Sequence, residues 1–218
     1  PWSCDNTVIR FNEVSDHKAP WDAQGFDSDW NCRNTLIQYN YSHDNDGGMV
    51  LICNSGESPA SFNAGNVGTV VRYNISVNDG LRTRPTRAGM FSPLIHVAGP
   101  VRNTTISRNI IHAGKKATKE ADRSMMTFDS WGGYPDSTLV KENIFYTPEA
   151  STFNFTGSTN NVFEGNCYLG TFKVKPADPG ARTVSDPYCL SALMDTVGVA
   201  GSEGVFVNEK AIRELFER

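Results

Sequence analysis

Asp27 and Asp29, in the segment GFDSDW, are the residues whose type and spacing first suggest chemistry. Alternate residues of a strand share a face. If Phe26 and Ser28 turn inward, the two carboxylates point out together, roughly 7 Å apart along the strand. Inverting glycosidases hold a general acid and a general base about 6.5–9.5 Å apart, with a water between them. Any Asp-x-Asp on a strand meets that spacing, so the competing reading is a solvated polar pair.

The same alternation turns His96 outward in PLIHVAG, Asp129 in MMTFDSW and Asn154 in STFNFTG. In strands stacked about 4.8 Å apart, His96 and Asp129 become vertical neighbours, and Asp29 lies roughly 10 Å below His96 with GMVLICN between them. Trp30 and Trp131 flank this row. Indole faces stack on sugar rings, and carboxylate and imidazole exchange protons with a glycosidic oxygen, so the row has the character of an exposed glycan groove. The plainer alternative leaves these side chains solvated, the tryptophans covering core edges and Asp129 serving an Asx-turn near SWGG.

Other polar clusters lie in loops. SHDNDGG presents His43, Asp44 and Asp46. Closely spaced carboxylates before glycine could hold calcium, which takes oxygen ligands from flexible loops, but an Asx-rich turn explains them equally and no metal ligand is assigned. Arg82, Arg84 and Arg87 in RTRPTR, and Lys115, Lys116, Lys119 and Arg123 in KKATKEADR, form two basic loops. Arginine pairs bidentately with carboxylates, which would suit a uronate-bearing glycan; a solvated charged loop is the alternative.

These candidates share a site only if the chain stacks them, and a repeat indicates that it does. TVIRFN, TLIQYN, TVVRYN, TTISRN, TLVKEN and NVFEGN align with an apolar third column (Ile9, Ile37, Val71, Ile106, Val140, Phe163). A polar column follows, and then, after one more residue, Asn12, Asn40, Asn74, Asn109, Asn143 and Asn166. The uneven spacing of these asparagines fits a strand solenoid that keeps its strands and varies its loops. Asparagine tolerates the left-handed backbone of a strand corner, and stacked amides can hydrogen-bond in a column. Both are expected of these six.

Composition bounds the partners. A net charge of −4 argues against nucleic acid, and no apolar run reaches the length of a membrane span. Pro1 stands where a Met would be and enters a strand-like segment at once, as in a mature or excised piece of a longer chain. With 5 cysteines, at least one is unpaired within the chain. Cys4 and Cys32 occupy equivalent places in two repeats, where a disulfide or a pair of buried thiols is expected.

The TxIxxN columns, from Thr7 to about Cys167, resemble the right-handed parallel β-helix superfamily, the pectate-lyase-like fold of many polysaccharide-degrading enzymes. The resemblance implies an all-β fold: a right-handed parallel β-helix solenoid of about six coils over residues 1–170, with a short C-terminal helix. Residues 171–218 then form a Pro-rich excursion and a capping helix of the same domain, with Asn208 as N-cap and Ala211, Ile212, Leu215 and Phe216 on one face. It also implies a secreted or periplasmic protein acting on a polysaccharide or oligosaccharide. The expected activity is a glycoside hydrolase with Asp27 and Asp29 as acid and base, and with His96 and Asp129 positioning the substrate. The alternatives are a uronate lyase with Arg84, Arg87 or Lys115 as base, and a non-catalytic glycan-binding module.

Overall fold

The computed structural model describes residues 1–57, 63–182 and 207–217. They form an all-β arrangement of parallel strands in stacked sheets with one short helix. The strands are short, and each pairs with its equivalent in the next pass of the chain. The first sheet joins Val8–Arg10, Leu36–Gln38, Val70–Arg72, Thr105–Ser107, Leu139–Lys141 and Val162–Glu164. Its register superposes Ile9, Ile37, Val71, Ile106, Val140 and Phe163, the apolar column of the sequence repeat.

A second group runs Glu13–Ser15, Tyr41–His43, Ile75–Val77, Ile110–His112, Ile144–Asn154 and Cys167–Val174. A third runs Phe26–Ser28, Val50–Cys53, Ile95–Ala98 and Met126–Asp129, ending on the far half of Ile144–Asn154. Because Ile144–Asn154 belongs to both, the two groups join into one 10-stranded sheet. Phe26, Val50, Ile52, Ile95, Val97, Met126, Phe128 and Phe153 point inward and meet the first sheet's column in one core. Each such side chain contributes roughly 1.5–3 kcal/mol by leaving water. The arrangement is solenoid-like.

The asparagine column forms as expected. Nδ2 of Asn12, Asn40, Asn74, Asn109 and Asn143 each donates to Oδ1 of the next asparagine at 2.9–3.0 Å. Asn166 closes the series on Asp178 Oδ2 at 2.8 Å. The same Oδ1 atoms accept the backbone N–H of the preceding asparagine. From Asn40 onward these amides are buried.

The left-handed backbone, however, is not on the asparagines. It falls one residue earlier, on Phe11, Tyr39, Tyr73, Arg108, Glu142 and Gly165, with φ between 54° and 66°. The corner residue turns the chain from the first sheet into the second strand group, and the following carboxamide faces inward to its partners. A left-handed L-residue costs about 1–2 kcal/mol, which the hydrogen bonds at the next position offset.

Cys4 and Cys32 stack, Arg33 N donating to Cys4 O at 2.9 Å, but no disulfide joins them. Their thiols donate to the carbonyls of Trp2 and Pro1. Cys189 and the part of the expected Pro-rich excursion beyond residue 182 lie outside the described residues.

The helix Glu209–Phe216 is capped by Asn208, whose side chain accepts from Ala211 N. It packs on the side of the stack, Ile212 beside Tyr39 and Tyr73, and Arg213 Nε donates to Tyr39 OH at 2.8 Å. It does not shield the first strand, where Val8 is 53% exposed.

Replacing Asn74 with Ala would leave the buried backbone N–H of Asn40 without its acceptor and take one donor from Asn109 Oδ1. An unsatisfied buried group costs about 1–3 kcal/mol, so Asn74→Ala is expected to lose about 1–3 kcal/mol in urea unfolding. Asn12→Ala, at the exposed end of the column, is expected to lose less than about 1 kcal/mol.

Candidate functional site

The outward face of the third strand group carries Asp27, Leu51, His96, Thr127 and Asn154 in one column. Cys53, Ala98 and Asp129 stand in the next, two residues along. The inward and outward assignments therefore hold, but the expected vertical pairing of His96 with Asp129 does not. His96 lies opposite Thr127, and Asp129 opposite Ala98. The two side chains still meet diagonally, His96 Nε2 lying 3.5 Å from Asp129 Oδ2.

Nor is this face an open row. Trp30 and Trp131 pack over Leu51, Cys53 and Ala98, and His96 is only 3% exposed. The covering loops are held by Arg82. This buried side chain donates to the carbonyls of Ala19, Trp21, Asp22 and Phe91, so its donors serve protein backbone and not a substrate. One guanidinium thus fastens the loop before Phe26–Ser28 to the loop before Ile95–Ala98. A groove expected from strand alternation becomes a cavity, because alternation does not register what loops do above a sheet.

The cavity measures about 140 Å³, with His96, Gln24, Asp22 and Asp129 among its lining residues. Its aromatic walls are Trp21, Phe91 and Trp131. His96 meets Phe91 and Trp131 edge-on, at 5.1 and 5.7 Å between centroids. Arg87 lies 4.6 Å over the Trp21 ring. Two buried polar atoms here, His96 Nε2 and Gln24 Oε1, have no hydrogen-bond partner among the described residues. The imidazole of His96, 3.5 Å away, and the backbone N–H of Ser130 hold the Asp129 carboxyl below the usual carboxylate range. Gly99 brings this strand end close to its neighbour: a Cβ there would strike the Asn54 carbonyl.

On the same face, with Leu51 between Asp27 and His96, Asp27, Asp29 and Cys53 bring one oxygen or sulfur atom each within 4.8 Å of one another. The Asp side chains lean together and do not keep the spacing of their backbone positions. Asp29 Oδ1 accepts from Trp30 N at 2.6 Å and from the Cys53 thiol at 3.1 Å. Asp27 Oδ1 is buried without a partner among the described residues. Burial, then the negative charge of Asp29, pushes the Asp27 carboxyl up to about 7, with Asp22 adding to the effect. Burial also raises the Cys53 thiol, which keeps it protonated and a poor metal ligand.

The remaining candidates separate from this centre. His43 bridges Asp44 and Glu13 on the second strand group, at 2.7 and 3.0 Å. Asp44 also accepts from Asn78, and Asp46 lies 3.7 Å from Lys18 Nζ. With these carboxylates committed to protein partners, the loop offers calcium no converging ligand set. Arg84 borders a separate space with Lys18 and Asp46, Lys115 is exposed on its loop, and Asn154 contacts Thr127 Oγ1 at 3.2 Å. Sequence reasoning missed Trp21, Asp22, Gln24, Phe91 and Cys53. The one signal for the first three was their place in WDAQ, directly before the strand bearing Asp27.

No family model matches the chain, and comparison with curated proteins returns no match.

Asp27 predicts a pH dependence of stability. Between its ordinary 3.8 and about 7 the folded protein keeps a proton that the unfolded chain releases, so stability falls as pH rises through that window. Asp27→Asn removes this loss. The variant is expected to exceed the parent by about 2–4 kcal/mol near pH 8, and the two converge near pH 4. Urea unfolding across the range checks it.

Proposed function

We propose that the chain is a right-handed parallel β-helix of the pectate-lyase-like kind and a polysaccharide-degrading glycoside hydrolase, secreted or periplasmic. The observation that supports the chemistry most is the Asp27–Asp29 pair. One carboxyl is held protonated to about pH 7 beside a second that accepts two hydrogen bonds. Two carboxyls pushed apart in acidity divide the roles of acid and nucleophile.

Their closeness, within 4.8 Å, suits double displacement, in which the carboxyls stand about 5–5.5 Å apart, better than the wider single-displacement arrangement. Asp29 attacks the anomeric carbon as the glycosidic bond breaks, and Asp27 gives its proton to the departing oxygen. A water, losing a proton to Asp27, then releases the sugar and frees Asp29. In this reading the His96–Asp129 pair and the Trp131 wall, on the same strand face as Asp27, would hold a neighbouring ring of the substrate.

A binding-only module draws support from the burial of Asp27 Oδ1. Elimination at a uronate draws less, since of Arg84, Arg87 and Lys115 only Arg87 borders the cavity.

Incubation with a polysaccharide panel is expected to release reducing ends without an ultraviolet-absorbing unsaturated product. Asp27→Asn and Asp29→Asn should each lower the rate by about 10²-fold or more, and activity should decline above about pH 7, where Asp27 loses its proton. Full activity in both variants would overturn the assignment. An absorbing product would indicate elimination, and binding without cleavage a non-catalytic module.

A further inference from the structure

Resting on the carbohydrate reading above, we propose that the cavity over His96 receives one uncharged sugar ring and discriminates against a uronate. The charge lining argues first. Asp22 and Asp129 border the space, and Arg87 is the one lysine or arginine among its described lining residues, the Arg82 guanidinium behind the wall being committed to backbone carbonyls. The Arg87 guanidinium is exposed and occupied with the Trp21 ring, 4.6 Å away. A ligand carboxylate would enter this field against repulsion that grows as water is excluded. A hydroxyl would not.

The unpartnered atoms argue second. Gln24 and His96 are 8% and 3% exposed; Gln24 Oε1 lacks a hydrogen-bond partner among the described residues, and His96 Nε2 has only the 3.5 Å approach of Asp129 Oδ2. Buried polar groups without partners are uncommon. An amide oxygen can only accept, whereas an imidazole nitrogen can donate. A sugar hydroxyl does both at once, giving its hydrogen to Gln24 and accepting one from His96. The indoles of Trp21 and Trp131 supply apolar walls for the C–H faces of a ring. A space of about 140 Å³ is small beside pockets for drug-sized ligands, which run to about 300–1,000 Å³. It is suited to a single unit of a chain.

Titration of the full chain with matched pairs tests this: glucose against glucuronate, galactose against galacturonate and mannose against mannuronate, followed by tryptophan fluorescence and calorimetry. At least one neutral sugar is expected to saturate, with its uronate bound about tenfold or more weakly. Gln24→Leu should weaken the neutral sugar about tenfold. Asp129→Asn, at a half-exposed position, should narrow the gap between the pair, with a thermal melt confirming that each variant folds. A uronate bound as tightly as its neutral partner would overturn the inference and leave the carbohydrate reading standing. Failure of every sugar to bind, with no polysaccharide cleaved, would overturn both.

Discussion

A buried carboxamide cannot stand alone in an apolar core, and that constraint organises the whole molecule. Each asparagine of the column from Asn12 to Asn166 needs the next one directly above it. A shift of one residue between passes would leave an amide and a backbone N–H unpaired, at about 1–3 kcal/mol for each group. The hydrophobic column three residues earlier in each pass tolerates exchange of Ile, Val and Phe, since burial is non-directional. Hydrogen bonding is directional, so the amides set the register and the aliphatic side chains supply most of the stabilisation.

The unequal legibility of fold and site follows from this. Apolar and amide columns recur at matching places in every pass, so Ile37 and Val140, or Asn74 and Asn109, could be aligned from residues alone. Strand alternation likewise gave the correct face for Phe26, His96, Phe128 and Phe153. The stagger between His96 and Asp129 was not readable, because it depends on how each strand enters the sheet. The left-handed residue was misplaced by one, since the side chain that prefers such a conformation was needed elsewhere.

The site itself was half visible. Asp27, Asp29, His96 and Asp129 do share one face, but Gln24, Asp22 and Trp21 reach it from an irregular loop that carries no period. Arg82 illustrates the difficulty: a basic residue in a basic loop looks like a ligand-binding group, yet it is spent on four carbonyl contacts. Covering the face is what gives its groups their character. Burial raises the Asp27 carboxyl and encloses His96 Nε2 and Gln24 Oε1 without a hydrogen-bond partner among the described residues. An open sheet would have kept all three ordinary.

The spacing between successive ladder asparagines ranges from 23 to 35 residues, yet the amide geometry hardly changes. Connecting segments can therefore lengthen, shorten or be exchanged while the scaffold beneath them is undisturbed. The cavity wall is built from two such segments tied at one guanidinium, which makes it a removable part. Grafting a different pair of loops, with its own clasp in place of Arg82, would recast what the molecule recognises without asking the stack to fold anew.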